Sequence, residues 1–218
     1  MPTSNYRLIP NIIRVARDIS PRSVLDVGIG FGKYGFLLRE YLDVQSQGSG
    51  RFDASVRNVV IDGIEVFEEY VTDLQRLIYD RIYIGDAKEV IGNLGPYDMI
   101  LICDVIEHFQ KEDGLLFLDK VMARVRKAAV ITTPAHSYPQ GAVYGNPAEE
   151  HVSQWVVADF RRFGHLSSIV SNGILMVGIT PAPRRLALDP KEPLVERLRR
   201  QARRCRLVRW VRGTQEAS

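Results

Sequence analysis

The chain has 218 residues, 45% of them hydrophobic and 25% charged, with 17 Gly and 11 Pro, a composition that excludes disordered and collagen-like chains and suits one compact domain plus an appendage. The net charge of +3 is uneven: residues 184–218 hold 11 Arg/Lys against 4 Asp/Glu, +7, while the rest holds 18 against 22, −4. Cys103 and Cys205 form no CxxC or Cys/His cluster, which points away from a disulfide framework or a zinc site, and no apolar run approaches the ~20 residues of a membrane span.

In chain order, MPTSNYRLIPNIIRVARD breaks its apolar stretch at Pro10, Asn11 and Arg14, unlike a secretory signal, so a cytoplasmic protein is expected. The spacing of Leu8, Ile12, Ile13 and Val15 predicts a leading helix from about Tyr6 to Asp18, closed by Ser20 and Pro21. Ser23–Gly28 reads as a buried strand, Phe36–Leu42 as a helix, and Val44–Ser55 as a long polar loop. Next come a strand at Val59–Val66, a helix at Glu68–Leu77, a strand at Arg81–Gly85 and a short helix near Ala87–Ile91. Tyr97–Asp104 is a strand, Glu112–Val125 a helix, Ala128–Pro134 a strand and Ser153–Arg162 a helix. Two strands, His165–Ser171 and Ile174–Thr180, are joined by Asn172-Gly173, a strong hairpin signal. Strands alternating with helices imply an α/β, doubly wound, mostly parallel sheet with an antiparallel closing hairpin. The domain is expected over 1–183 and a basic tail over 184–218.

Between the first strand and the following helix lies DVGIGFGKYG, Asp26 to Gly35. Glycine there lets the backbone adopt otherwise disfavoured dihedrals and lets a ligand approach closely, while the free N–H groups at the helix start favour electron-rich ligand groups. A nucleotide-like ligand is implied. As a bare pattern, Gly30, Gly32 and Gly35 spell GxGxxG, which fits a dinucleotide fold and an NAD-linked oxidoreductase. A different register, Asp26, Gly28, Gly30 and Gly32, starts at the strand end, where the ligand crevice of an open α/β sheet lies.

With Glu65 ending the second strand, Gly85–Ala87 ending the third and DVIEH (Asp104–His108) ending the fourth, the chain resembles class I Rossmann-like S-adenosylmethionine-dependent methyltransferases over about Tyr6 to Thr180, including their seven-stranded sheet. The resemblance implies S-adenosylmethionine as cofactor and S-adenosylhomocysteine (SAH) as product. It implies that Gly28, Gly30 and Gly32 admit the methionine part, with Asp26 fixing the loop. Glu65 would accept from both ribose hydroxyls, Asp86 would reach the adenine amino group beside Val66 and Ala87, and Asp104 and Val105 would lie under the sulfonium side. Glu65 lies further beyond the glycines than the ~20 residues usual for a dinucleotide ribose acid, which counts against the oxidoreductase.

If the acceptor is a hydroxyl or amine, a base helps remove its proton; His108, His136 and His151 are the candidates. The loop Ala135–His151 follows the fifth strand and is the expected acceptor loop, with Tyr138, Tyr144, Asn146, Glu149, Glu150, His151 and Trp155 around the acceptor or forming a lid. Tyr6 or Arg14 of the leading helix is a candidate for covering the cofactor carboxylate. Asp104 and Glu107 suggest a metal-dependent enzyme, but no matching Asp/Asn pair follows the next strand, so no metal is expected. From Pro193 the tail is a basic, partly amphipathic helix with eight arginines, suited to a peripheral membrane or protein contact. Because the body is acidic, nucleic acid ranks below a small-molecule or glycan acceptor. The remaining alternative is a non-catalytic scaffold of the same fold that binds a partner through the tail.

Overall fold

A run of aliphatic residues with no polar alternation has two faces to bury, and Tyr97–Cys103 is buried along its whole length. It lies inside a seven-stranded sheet in the computed structural model, which describes residues 3–44 and 57–188. The strands are β1 (Ser23–Val27), β2 (Val60–Glu65), β3 (Arg81–Ile84), β4 (Tyr97–Cys103), β5 (Val125–Pro134), β6 (His165–Ser171) and β7 (Ile174–Thr180). Their order across the sheet is β3-β2-β1-β4-β5-β7-β6. The first five are parallel, and β7 runs antiparallel between β5 and β6. The doubly wound sheet with a closing hairpin expected from the sequence is therefore the fold. At the hairpin, Asn172 and Gly173 both have positive φ, 54° and 79°, as the tight mirror-image turn requires.

Alternate residues of the strands fill two separate cores. Met99, Leu101 and Val130 face Leu8 and Ile12 at the leading helix, α1 (Ile9–Ile19), and Leu38 of α2 (Lys33–Arg39). Ile100, Ile102 and Ile131 face Phe117, Leu118 and Val121, which belong to a helix spanning Lys111–Met122. Two shorter helices, α3 (Asp73–Ile78) and α4 (Ala87–Val90), follow β2 and β3, which makes the Lys111–Met122 helix α5. Each fully buried aliphatic side chain contributes roughly 1.5–3 kcal/mol of transfer free energy, so the two layers hold the sheet ends, and the loops leaving them, in fixed positions.

The boundaries depart from expectation where tertiary contacts overrule periodicity. The helix expected over Glu68–Leu77 is divided into a 3₁₀ turn at Glu68–Tyr70 and α3, which starts after Thr72, whose N–H donates to Gln75 Oε1 at 3.0 Å. Helix α5 stops at Met122 because Val125 already pairs with Tyr97 as the start of β5. No helix forms over Ser153–Val156; a 3₁₀ stretch follows at Val157–Phe163. The cause is Trp155, which is fully buried. Its indole N–H donates to Ile106 O at 3.1 Å and Ser153 Oγ at 2.8 Å. Its ring lies against Gly114 of α5, where a Cβ would have no room.

The packed unit extends to Leu188. Leu186, Ala187 and Leu188 are buried, and Asn11 Nδ2 donates to Leu188 O at 2.6 Å, so the boundary expected at 183 falls inside a packed segment. The basic helix expected from Pro193 and residues 45–56 of the polar loop lie outside the described residues. Among the described residues no helix is long and apolar enough to cross a membrane. Replacing Trp155 with Ala should lower stability by about 3–5 kcal/mol, read as a reduced urea midpoint.

Candidate active site

After β1 the chain moves outward to β2 and β3 and then returns to β4 on the opposite side of β1. Connections therefore diverge above the carboxyl ends of β1 and β4, and the gap between them is where an open α/β sheet binds ligands. A crevice of about 710 Å³ opens there, well within the range of small-ligand sites.

Its floor is the glycine loop. Gly28 and Gly30 have positive φ, 72° and 47°, and a Cβ on Gly28 would collide with Val105 Cγ2. The N–H groups of Gly28 and Ile29 both donate to Ile64 O, at 2.9 and 3.1 Å. Gly30 N–H donates to Glu65 Oε2 at 2.9 Å, and Phe67 N–H to Glu65 Oε1 at 3.0 Å. Burial raises the Glu65 carboxyl above its ordinary value, and these backbone bonds oppose the rise. Gly32, expected among the loop residues that face a ligand, does not line the crevice. It starts α2 at φ 84° and faces Gln75, Ile78 and Tyr79; the third glycine serves the turn into the helix.

Asp26 lines the crevice but is 2% exposed. Tyr79 O–H donates to its Oδ2 at 2.6 Å and accepts from Gly35 N–H at 3.2 Å, which links the end of β1 to α2. Burial pushes the Asp26 carboxyl up to about 7, against the lowering effect of the Tyr79 bond. Val66, Asp86 and Ala87 line the crevice beyond β2 and β3, and Asp86 caps α4 by accepting from Lys88 N–H at 2.8 Å. Asp104 and Val105 line it beyond β4. Asp104 takes φ 54° and accepts from Asn5 N–H and Thr132 Oγ1, both at 2.9 Å.

Neither Tyr6 nor Arg14 reaches the crevice; Thr3–Asn5, just before them, do. Lys33 lines it as well. Its ammonium donates to Ser4 O, and burial lowers its pKa while Asp104 opposes that shift. The signal for Lys33 is visible in the sequence, a cation directly after the last loop glycine, whereas nothing marks Thr3–Asn5.

At the other end, His108, His136 and His151 all line the crevice, as do Tyr138, Asn146 and Glu149 of the loop after β5. Tyr144, Glu150 and Trp155, expected with them, do not: Tyr144 points to solvent and Trp155 is core. The loop is pinned because Val152 and Ser153 N–H groups both donate to Glu107 O, at 2.9 and 3.1 Å. That bond pair, with Trp155 behind it, brings the His151 ring to 4.9 Å from the His108 ring. Glu107 follows β4 and is 2% exposed, and neither of its carboxylate oxygens makes a hydrogen bond of good geometry, although the Thr133 hydroxyl lies beside the group. Burial, with Asp104 adding to it, pushes its carboxyl up to about 8. The sequence, searched for a metal, offered only Asp104 and Glu107; the fold instead groups Glu107, His108 and His151.

The Asp26 shift fixes the sign of a pH dependence. Its folded pKa lies above the unfolded value of 3.8, so its contribution to stability is complete below about pH 4 and lost as pH rises through about 7. The loss should be on the order of 4 kcal/mol, and Asp26→Asn should flatten that part of a plot of urea midpoint against pH.

No family model and no curated protein matches the chain. Solved structures do resemble it. A TehB-like SAM-dependent methyltransferase from Corynebacterium glutamicum is 19% identical, covers 78% of this chain and 86% of its own, and gives a TM-score of 0.51. The N-terminal domain of EvdMO1, solved in the presence of SAH and D-fucose, is 15% identical, with coverage of 81% and 84% and a TM-score of 0.52. An O-methyltransferase family protein from Burkholderia thailandensis is 10% identical, with coverage of 81% and 58% and a TM-score of 0.53. The chain has the Rossmann-like fold of the class I S-adenosylmethionine-dependent methyltransferases.

Proposed function

We propose that the chain is an S-adenosylmethionine-dependent methyltransferase that modifies an oxygen or nitrogen of a small molecule or sugar. The observation that carries this reading is Glu65, a buried acid at the end of β2 that faces the crevice and holds Gly30 N–H. Each of its oxygens takes one backbone N–H, which leaves lone pairs on both for the two ribose hydroxyls. The other residues fit the same ligand. Gly28 leaves bare backbone beside Val105. Val66 is an exposed apolar side chain next to Asp86 and Ala87 on the adenine side. Lys33 places a cation near Asp104, where a cofactor carboxylate can pair with it.

Once bound, the sulfonium supplies an already activated methyl group. The chain's own residues then have to orient the acceptor, exclude water and take up the acceptor's proton. His108, His136 and His151 are the groups at hand for the proton. Burial lowers the His108 pKa, which keeps its ring neutral and able to accept near neutral pH. Tyr138, Asn146 and Glu149 present hydroxyl, amide and carboxylate groups to an acceptor. A sugar or other small polar molecule suits this lining, and the EvdMO1 domain with D-fucose shows that a protein of this fold was solved with such a molecule.

The oxidoreductase reading is weakened by the sheet. The dinucleotide order continues as parallel strands, whereas here β7 enters antiparallel between β5 and β6. The scaffold reading is weakened by the crevice, which runs from the glycine loop to His136 as one cavity. Calorimetric titration with SAH and with NAD separates the enzyme readings: SAH should bind and NAD should not. Glu65→Ala should weaken SAH binding about 10- to 100-fold, the loss expected for hydrogen bonds to a charged group. Unchanged affinity would remove the ribose assignment. Acceptors can then be screened by SAH release.

A further inference from the structure

The loop that closes the acceptor end places three ligand-type side chains together. Glu107 comes from the 3₁₀ turn after β4, His108 is its neighbour in sequence, and His151 arrives from the loop after β5. One ligand atom from each lies within 4.8 Å of the others. Three further observations point to a missing occupant.

The first is the Glu107 carboxylate, buried to 2%, with only the Thr133 hydroxyl beside it and no hydrogen bond of good geometry to either oxygen. A buried carboxylate is normally paired, hydrogen-bonded or coordinated to a metal, and no cation is within ion-pair reach of it among the described residues. The second is the orientation of the two imidazoles. His108 Nδ1 sits 3.0 Å from Glu150 O, and His151 Nδ1 sits 2.7 Å from Tyr138 O. A carbonyl can only accept, so Nδ1 donates on both rings and Nε2 keeps its lone pair in that tautomer, which is how imidazoles are oriented when they ligate a metal. The His108 ring also lies against the Asp104 carbonyl. The third is charge: Asp104 and Glu149 add negative potential at Glu107, while among the described residues Lys33 of the same crevice acts on Asp104 rather than on Glu107.

We propose that Glu107, His108 and His151 form a site for a divalent transition cation such as Zn²⁺, Co²⁺ or Mn²⁺. Two imidazoles and one carboxylate are the ligand types such ions accept, and three protein ligands leave positions open toward the crevice. Ligand atoms around a tetrahedral ion with bonds of roughly 2.0–2.1 Å lie about 3.3 Å apart, so binding draws the three groups inward by side-chain rotation. The catalytic role rests on the methyltransferase reading. A hydroxyl oxygen of the acceptor occupies an open position, where the cation makes it more acidic. Its O–H bond breaks with the proton passing to His136; the oxygen lone pair forms the new O–C bond; and the S–C bond breaks with its electron pair staying on sulfur. His108 and His151 thus hold the ion, and His136 remains as the proton acceptor.

The test uses the full chain stripped with a chelator. Calorimetric titration with Zn²⁺ alone should show one equivalent bound, and Co²⁺ should give a visible absorption band that Zn²⁺ displaces. Glu107→Gln, which keeps the shape of the side chain, and His151→Ala, on the loop, should each weaken Zn²⁺ binding at least 100-fold. Failure of the wild type to bind, or unchanged binding in both folded variants, overturns the site. Thermal unfolding establishes that each variant is folded. SAH titration of the same stripped protein tests the cofactor reading separately: SAH binding without metal binding removes only the metal, and metal binding without SAH binding removes only the methyltransferase.

Discussion

The site depends on one contact, the bond from Gly30 N–H to the Glu65 carboxylate. An acid at the end of a buried strand must find donors, because leaving it unsatisfied costs more than a single hydrogen bond returns. Glu65 takes backbone N–H groups from the loop after β1 and from its own loop, so the two strand ends are joined across the mouth of the crevice. Parallel pairing of β1 and β2, with Asp26 beside Gly63 and Val27 beside Ile64, sets the two loops at a height where this is possible. Gly28 and Ile29 N–H groups converge on Ile64 O for the same reason. The open shape of the loop is therefore a property of the sheet register as much as of the glycines.

Much of this was legible in the sequence. The strands stand out because each has a local cause: β-branched and aliphatic runs at β1, β4 and β5, and Asn172-Gly173 at the hairpin, whose two strands have the bounds that the pattern predicts. The strand-end acids Asp26, Glu65, Asp86 and Asp104 line the crevice because the crevice of such a sheet lies at those ends. What escaped has long-range causes. Trp155 looks like one more polar-loop aromatic until Gly114, some forty residues earlier in the chain, is seen to make room for it. Gly32 matches the spacing of the other loop glycines, yet the start of α2 turns it away from the crevice. The Glu107, His108 and His151 cluster joins two chain segments, and only the bonds from Val152 and Ser153 to Glu107 O bring them together.

The two ends of the crevice are built from different materials. Around the glycine loop the chemical groups are largely main-chain N–H donors with acids that orient them, so side-chain freedom contributes little. At the far end the groups are side chains on a connection that contains Pro139 and Pro147 and has one isolated bridge, Val143 with Asn146, and a 3₁₀ turn at Pro147–Glu149. Electrostatics differ in the same way: Lys33, acting on Asp104, brings a positive charge toward the first end, whereas at the second end burial, with Asp104 and Glu149 adding to it, pushes the Glu107 carboxyl up to about 8.

The connection after β5 is fastened at its far side by Trp155 and Glu107 O, and the residues between Pro134 and Val152 are tied further by main-chain atoms, Ala135 N–H donating to Gly173 O and Glu150 O accepting from His108 Nδ1. Because the fastening relies on a buried indole and on main-chain atoms, the intervening span is free to diverge in length and chemistry without disturbing the sheet register that shapes the opposite half. Changes of length or side chain in that one surface segment would then reshape the far half of the crevice while the glycine loop keeps its form.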